Sequence, residues 1–143
     1  MAGPVSGGPK SPDVSPDAPP EAAYGPRQRG AWAERLACGY LRQRGLTLLT
    51  RNFRARGGEL DLVMREGDTL VFVEVRYRRG GAGPDAAESI DRRKRQRLLH
   101  AGARYLQQHA PRDAPPPCRF DVVAVSGGRE CPAIRWLQGA FEA

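Results

Sequence analysis

Glu59, Asp61, Glu74 and Arg76 are the residues of this chain whose types and spacing could do chemistry. The first two lie in Gly58-Glu59-Leu60-Asp61-Leu62-Val63-Met64, the last two in Thr69-Leu70-Val71-Phe72-Val73-Glu74-Val75-Arg76-Tyr77-Arg78, and the turn Arg65-Glu66-Gly67-Asp68 joins the two runs. Side chains alternate faces along a strand, so Glu59 and Asp61 share one face and leave Leu60 and Leu62 to the other, while Glu74 and Arg76 share a face on the next strand. Three carboxylates and a guanidinium then gather at one end of a small sheet. Hard divalent cations take oxygen ligands, and Mg²⁺ in particular takes a few carboxylates together with waters and substrate phosphate. The pattern suits a magnesium-dependent nuclease. It also suits a solvated sheet face carrying cross-strand ion pairs. What weighs for the site is the run 70–75, apolar except at Glu74, because a carboxylate buried on such a strand is costly unless a cation meets it.

The elements that would position these groups follow from periodicity. Trp32, Leu36, Ala37, Tyr40 and Leu41 recur at helical spacing and predict a helix over 29–44, stopped by Gly45, with Glu34 offset from its apolar stripe. Residues 46–53, 59–64 and 70–78 read as three strands of a meander. Residues 79–85 hold three glycines and a proline and predict a mobile loop beside the site. A second helix is expected over 89–108, capped by the Ser89 hydroxyl, with bases crowded into its first turns. A strand at 119–125 and a short, weaker one at 133–137 complete the chain. Trp32, Tyr40 and Tyr105 are expected in the core, Asp121 in a structural role, and Trp136 at an edge or a dimer contact.

The chain has 143 residues and a net charge of +7, enough for one folded domain. Residues 1–26 hold seven of the thirteen prolines and almost no large apolar side chains, and are expected to form a disordered tail ahead of a domain spanning 27–143. That tail has one base and three acids, so the remaining 117 residues carry +9. A domain this basic favours a polyanion as partner, and the bases cluster at Arg51, Arg54 and Arg56 and again at Arg92-Arg93-Lys94-Arg95 with Arg97. Arginine supplies 21 of the 23 bases, so a general arginine bias competes with this reading. With neither a signal or transit sequence nor an apolar run of membrane-spanning length, a cytoplasmic protein without membrane association is expected. Cys38, Cys118 and Cys131 predict no disulfide framework or zinc site, and His100 and His109 stand too far apart to share one helical face at ligand spacing.

The order helix, three strands, helix, strand resembles the PD-(D/E)XK nuclease superfamily, an α/β, restriction-endonuclease-like αβββαβ core with a mixed central sheet flanked by helices. Within it the chain is similar to the YraN-type family of endonuclease-like bacterial proteins, which are themselves similar to archaeal Holliday-junction resolvases. The likeness is carried by Gly30-x-x-Ala33-Glu34-x-x-Ala37, Arg51-Asn52-Phe53-Arg54, Gly58-Glu59-Leu60-Asp61-Leu62, Val71-Phe72-Val73-Glu74-Val75, Lys94 and Arg119-Phe120-Asp121-Val122, in order from Gly30 to Val125. It implies that Glu34, Asp61 and Glu74 bind Mg²⁺ or Mn²⁺, with Glu59 as an outer ligand or an orienter of water. Arg76 departs from the pattern, which usually has lysine two residues after the strand-three glutamate. Arginine grips phosphate but stays protonated and is no base near neutral pH.

The expectation is therefore a metal-dependent endonuclease acting on DNA rather than RNA, structure-selective for branched or damaged DNA, and a homodimer if it cuts two strands symmetrically. Arg54, Arg56, Arg78, Arg79, Arg92, Arg93 and Lys94 would hold the nucleic-acid backbone. The alternative is a nucleic-acid-binding module whose site is weak or inactive because of Arg76. A scaffold with an incidental basic surface is the third reading.

Overall fold

The structure is a computed structural model and describes residues 25–78, 90–127 and 131–142. Helix α1 (Pro26–Gln43) is followed by strands β1 (Thr47–Ala55), β2 (Gly58–Glu66) and β3 (Thr69–Arg78), helix α2 (Arg92–His109), and strands β4 (Cys118–Ser126) and β5 (Ala133–Phe141). The predicted tail lies almost wholly outside the described residues, as do the 79–85 loop with Arg79 and the Ser89 cap. The cap observed on α2 is Asp91, whose Oδ1 accepts from the Lys94 amide at 2.8 Å. α1 starts three residues earlier than its apolar stripe predicts because Pro26 is suited to a first-turn position, where no amide hydrogen is required.

The five strands form one sheet in the order β1-β2-β3-β4-β5, antiparallel except for the parallel pair β3 and β4. α2 lies in the crossover that a parallel pair requires. The result is a mixed α/β fold with a helix on each face. On one face Trp32, Ala37 and Leu41 of α1 pack on Met64, Val71, Val73 and Val123. On the other, Leu98, Ala101 and Tyr105 of α2 pack on Val63, Phe72, Phe120 and Val122. β3 alternates strictly between these clusters, which explains why its sequence is apolar on successive residues: it is covered on both sides. Among the described residues no helix is long and apolar enough to cross a membrane.

Two glycines let α2 sit close to the sheet. A Cβ at Gly58 would collide with the carbonyl oxygen of Arg97, and one at Gly102 would stand 2.8 Å from Phe120 Cζ. β5 runs through Phe141 and is longer than the weak strand expected. Its ladder with β4 shifts register between Phe120 and Val122, and the buried Asp121 carboxylate fills the irregularity. Asp121 accepts from Trp136 Nε1 and Gly139 N, each at 2.9 Å, and from Arg119 Nε at 3.1 Å. Asp121 is thus structural, as expected, and Trp136 is turned inward, edge-on to Tyr40.

Candidate active site

The sheet opens where the acids lie. β2 pairs with β3 from Glu66↔Thr69 up to Leu62↔Val73, and there the ladder ends. β3 continues to Arg78 beside β4, while β2 continues toward Gly58 beside β1. Asp61 stands at the opening, and its Oδ2 accepts the Val75 amide at 2.8 Å, a donor that β2 backbone no longer satisfies. The opening also corrects the simple alternation read from sequence. Leu60 and Leu62 do not share a face: Leu60 packs in the α2-side cluster and Leu62 in the α1-side cluster. Strict alternation fails between Leu60 and Leu62, where β2 leaves β3 and continues beside β1 alone.

Asp61 and Glu74 come within hydrogen-bonding reach of each other across the opening. Glu74 is buried at 5% exposure. Burial first, and then the charge of Asp61, raise the Glu74 carboxyl to about 7, against the opposing pull of Lys94 and Arg76. Burial also raises Asp61, but the Val75 amide and the hydrogen bond from Glu74 oppose it. The two carboxyls titrate as a coupled pair, both held above the ordinary carboxylate range by burial.

Two cations meet Glu74 Oε2: Lys94 Nζ at 3.4 Å and Arg76 Nη1 at 3.5 Å. Arg76 arrives by the two-residue spacing on β3. Lys94 arrives from α2, whose approach Gly58 permits one turn further along. Lys94 was expected on the nucleic-acid backbone, and the structure adds contact with the buried acid. The signal available in sequence was chemical, since Lys94 is the single lysine of 27–143 in a chain otherwise supplied with arginine.

Glu34 approaches Asp61 from α1. Burial raises its carboxyl to about 7, reinforced by the charges of Asp61 and Glu59 and opposed by Arg51 and Arg35. Glu59 is exposed and pairs with Arg54 at 3.6 Å. These groups line a cleft of about 500 Å³ whose walls include Arg27, Glu34, Asn52, Arg54, Glu59 and Asp61. Glu74 faces Lys94 on the α2 side, so Asp61 stands between it and Glu34. Arg56 is exposed at the β1–β2 turn, Arg92 and Arg93 are exposed at the start of α2, and Arg78 is half-buried at the end of β3. Asn52 and Arg27 were not among the expected site residues. A second groove of about 410 Å³, lined by Trp32, Leu36, Tyr40 and Ile134 among others, contains no acid.

Among the described residues no three Asp, Glu, His or Cys side chains already converge at ligand spacing. The Asp61–Glu74 pair nevertheless fits a hard cation. Two neighbouring carboxyls whose proton affinity burial raises offer hard oxygen donors, and Mg²⁺ is commonly held by one or two carboxylates with waters and phosphate completing its shell. A divalent ion would replace the proton and relieve the repulsion.

The model of the uncharacterised protein family UPF0102 matches residues 33–125, which hold the acids, Lys94 and all of β4 but Ser126. The chain belongs to the UPF0102 family. A UPF0102 protein of Pseudomonas aeruginosa strain LESB58 is 56% identical over 119 residues, covering 82% of this chain and 94% of that protein. One from Stutzerimonas stutzeri strain A1501 is 52% identical over 113 residues, covering 79% and 93%. A third, from Pseudomonas putida strain F1, is 49% identical over 122 residues, covering 85% and 98%. This is the family that the YraN-type likeness pointed to. The UPF0102 region starts one residue before Glu34 and ends one before Ser126, so every candidate acid falls inside it.

Proposed function

We propose that this UPF0102 chain is a divalent-metal-dependent endonuclease acting on DNA, with a restriction-endonuclease-like core. The observation that carries the reading is the Asp61–Glu74 pair, held in a gap between two strands with two cations on Glu74 and, beside it, a cleft lined by Arg27 and Arg54 together with Glu34 and Glu59. Asp61 and Glu74 would hold Mg²⁺ or Mn²⁺, with Glu34 contributing from the cleft. Such an ion supplies Lewis-acid polarisation of the scissile phosphodiester and of the attacking water.

The chain's own side chains do the rest. The Val75 amide fixes the Asp61 carboxylate in place. Arg76 offers a planar guanidinium fork to phosphate oxygens, stabilising charge that builds during cleavage. Lys94 brings a compact ammonium to the same carboxylate oxygen, so the site keeps a lysine although β3 carries arginine. Glu59, at the exposed rim, is suited to orienting a water. Arg54, Arg56, Arg78, Arg79, Arg92 and Arg93 hold the phosphate backbone, giving affinity without sequence choice. That mode suits selection by DNA shape, with branched or damaged DNA as the substrate and two copies of the chain acting on two strands.

A weak or retired site, the rival reading, rests on Arg76. The approach of Lys94 to Glu74 favours the active reading over it. Cleavage of four-way-junction and flap DNA by wild type and Asp61→Asn separates them. We expect wild type to cut only with Mg²⁺ or Mn²⁺, and Asp61→Asn to lose about 10³-fold in rate, the equivalent of several kcal/mol of metal-borne stabilisation. DNA affinity should hold or rise. Cutting that survives the substitution contradicts the site, and salt-sensitive binding without any cutting by wild type returns the rival.

A further inference from the structure

Asn52 is the only described residue other than glycine with a positive φ, at 52°. It lies in the middle of β1, between Arg51, paired with Leu62, and Phe53, paired with Leu60, and so directly across from Asp61. Residues in β1 otherwise alternate between exposed and half-buried, but Arg51 and Asn52 are exposed in succession. The left-handed twist at this point turns the Asn52 side chain into the cleft with Glu34, Asp61 and Arg54. Its amide makes no hydrogen bond to any described residue.

Asparagine tolerates this backbone conformation better than other side chains, but glycine tolerates it better still. The conformation alone therefore does not call for an amide. The cleft walls already carry Arg27 and Arg54, which donate but accept nothing, and Glu34, Glu59 and Asp61, whose carboxylates accept but donate nothing. An amide both donates and accepts, as a nucleotide's base and sugar edges do. We propose that Asn52 is a substrate-contacting residue, whose amide hydrogen-bonds the nucleotide lying beside the Asp61 carboxylate between Arg27 and Arg54. This rests on the nuclease reading.

The test uses Asn52→Gly, which removes the amide and relaxes the backbone, with Asn52→Ala as the contrast that removes the amide and keeps the strain. Binding of fluorescein-labelled flap DNA is followed by anisotropy in EDTA across a salt series, and Tm is measured on the same samples. Asn52→Gly is expected to melt at or above wild type yet bind about tenfold more weakly, the loss of one well-made hydrogen bond. Its log–log salt slope should match wild type, since no phosphate contact is lost. Asn52→Ala should show the same loss of affinity with a lower Tm. A purely conformational role predicts wild-type affinity for Asn52→Gly, and that result overturns the inference while leaving the nuclease reading intact. A lower Tm for Asn52→Gly, showing that the amide holds the fold, overturns it as well. Failure of wild type itself to bind the DNA overturns both.

Discussion

At the scale of single residues, the carboxylates are set against one another by burial. Glu74, raised from 4.5 to about 7, binds a proton in the folded protein over a pH range where the unfolded chain has released it. Stability then falls as pH rises through that window, because the folded state holds more protons than the unfolded one. The stabilisation is fully present below about pH 4.5 and gone above about 7, and is on the order of a few kcal/mol for a group so deeply buried. Glu34 and Asp61 act in the same direction. In EDTA the protein should therefore melt several degrees higher at pH 5 than at pH 8. Glu74→Gln, which cannot ionise, should flatten the dependence over this range. Melting curves of both proteins at half-unit pH steps check this, and an unchanged slope in the variant would assign the effect elsewhere.

At the scale of elements, the site depends on how far α2 descends onto the sheet. Gly58 sets that depth, since any Cβ there meets the Arg97 carbonyl one turn after Lys94. Gly58→Ala should cost about 1–3 kcal/mol through overpacking and lift Lys94 from Glu74. Cleavage should fall further than in Val123→Ala, a core change on the opposite face, when the two are compared at equal loss of Tm. The elements themselves were readable in sequence because their periods are local: helical spacing at Trp32, Leu36 and Tyr40, and continuous apolar character in 70–75. The gap between β2 and β3 was not. Alternation places Leu60 and Leu62 together, and only their packing against different helices shows that they part. Nor could spacing bring Lys94 to Glu74, twenty residues apart and on different elements. The length of β5 was hidden as well, since Asp121 secures it through Trp136 and Gly139 across the sheet rather than through a strong strand sequence.

At the scale of the molecule, a basic domain surrounds a small acidic centre. Residues beyond the first 26 carry +9, yet Glu34, Asp61 and Glu74 lie in or beside the cleft, opposed by Lys94, Arg76, Arg51 and Arg35. Such a surface attracts a polyanion, whereas a buried acidic pair resists one unless a metal ion comes between them. The mixed α/β class was legible in the sequence, because helix, strands, helix and strand follow one another in chain order. The coupling of Asp61 to Glu74 across the strand gap was not legible, because it depends on where the β2–β3 ladder ends. Calorimetric titration of Mn²⁺ into wild type and Asp61→Asn decides whether this pair holds a divalent cation. Saturable binding to wild type that disappears in the variant is expected, and equal heats from both proteins would overturn the metal site.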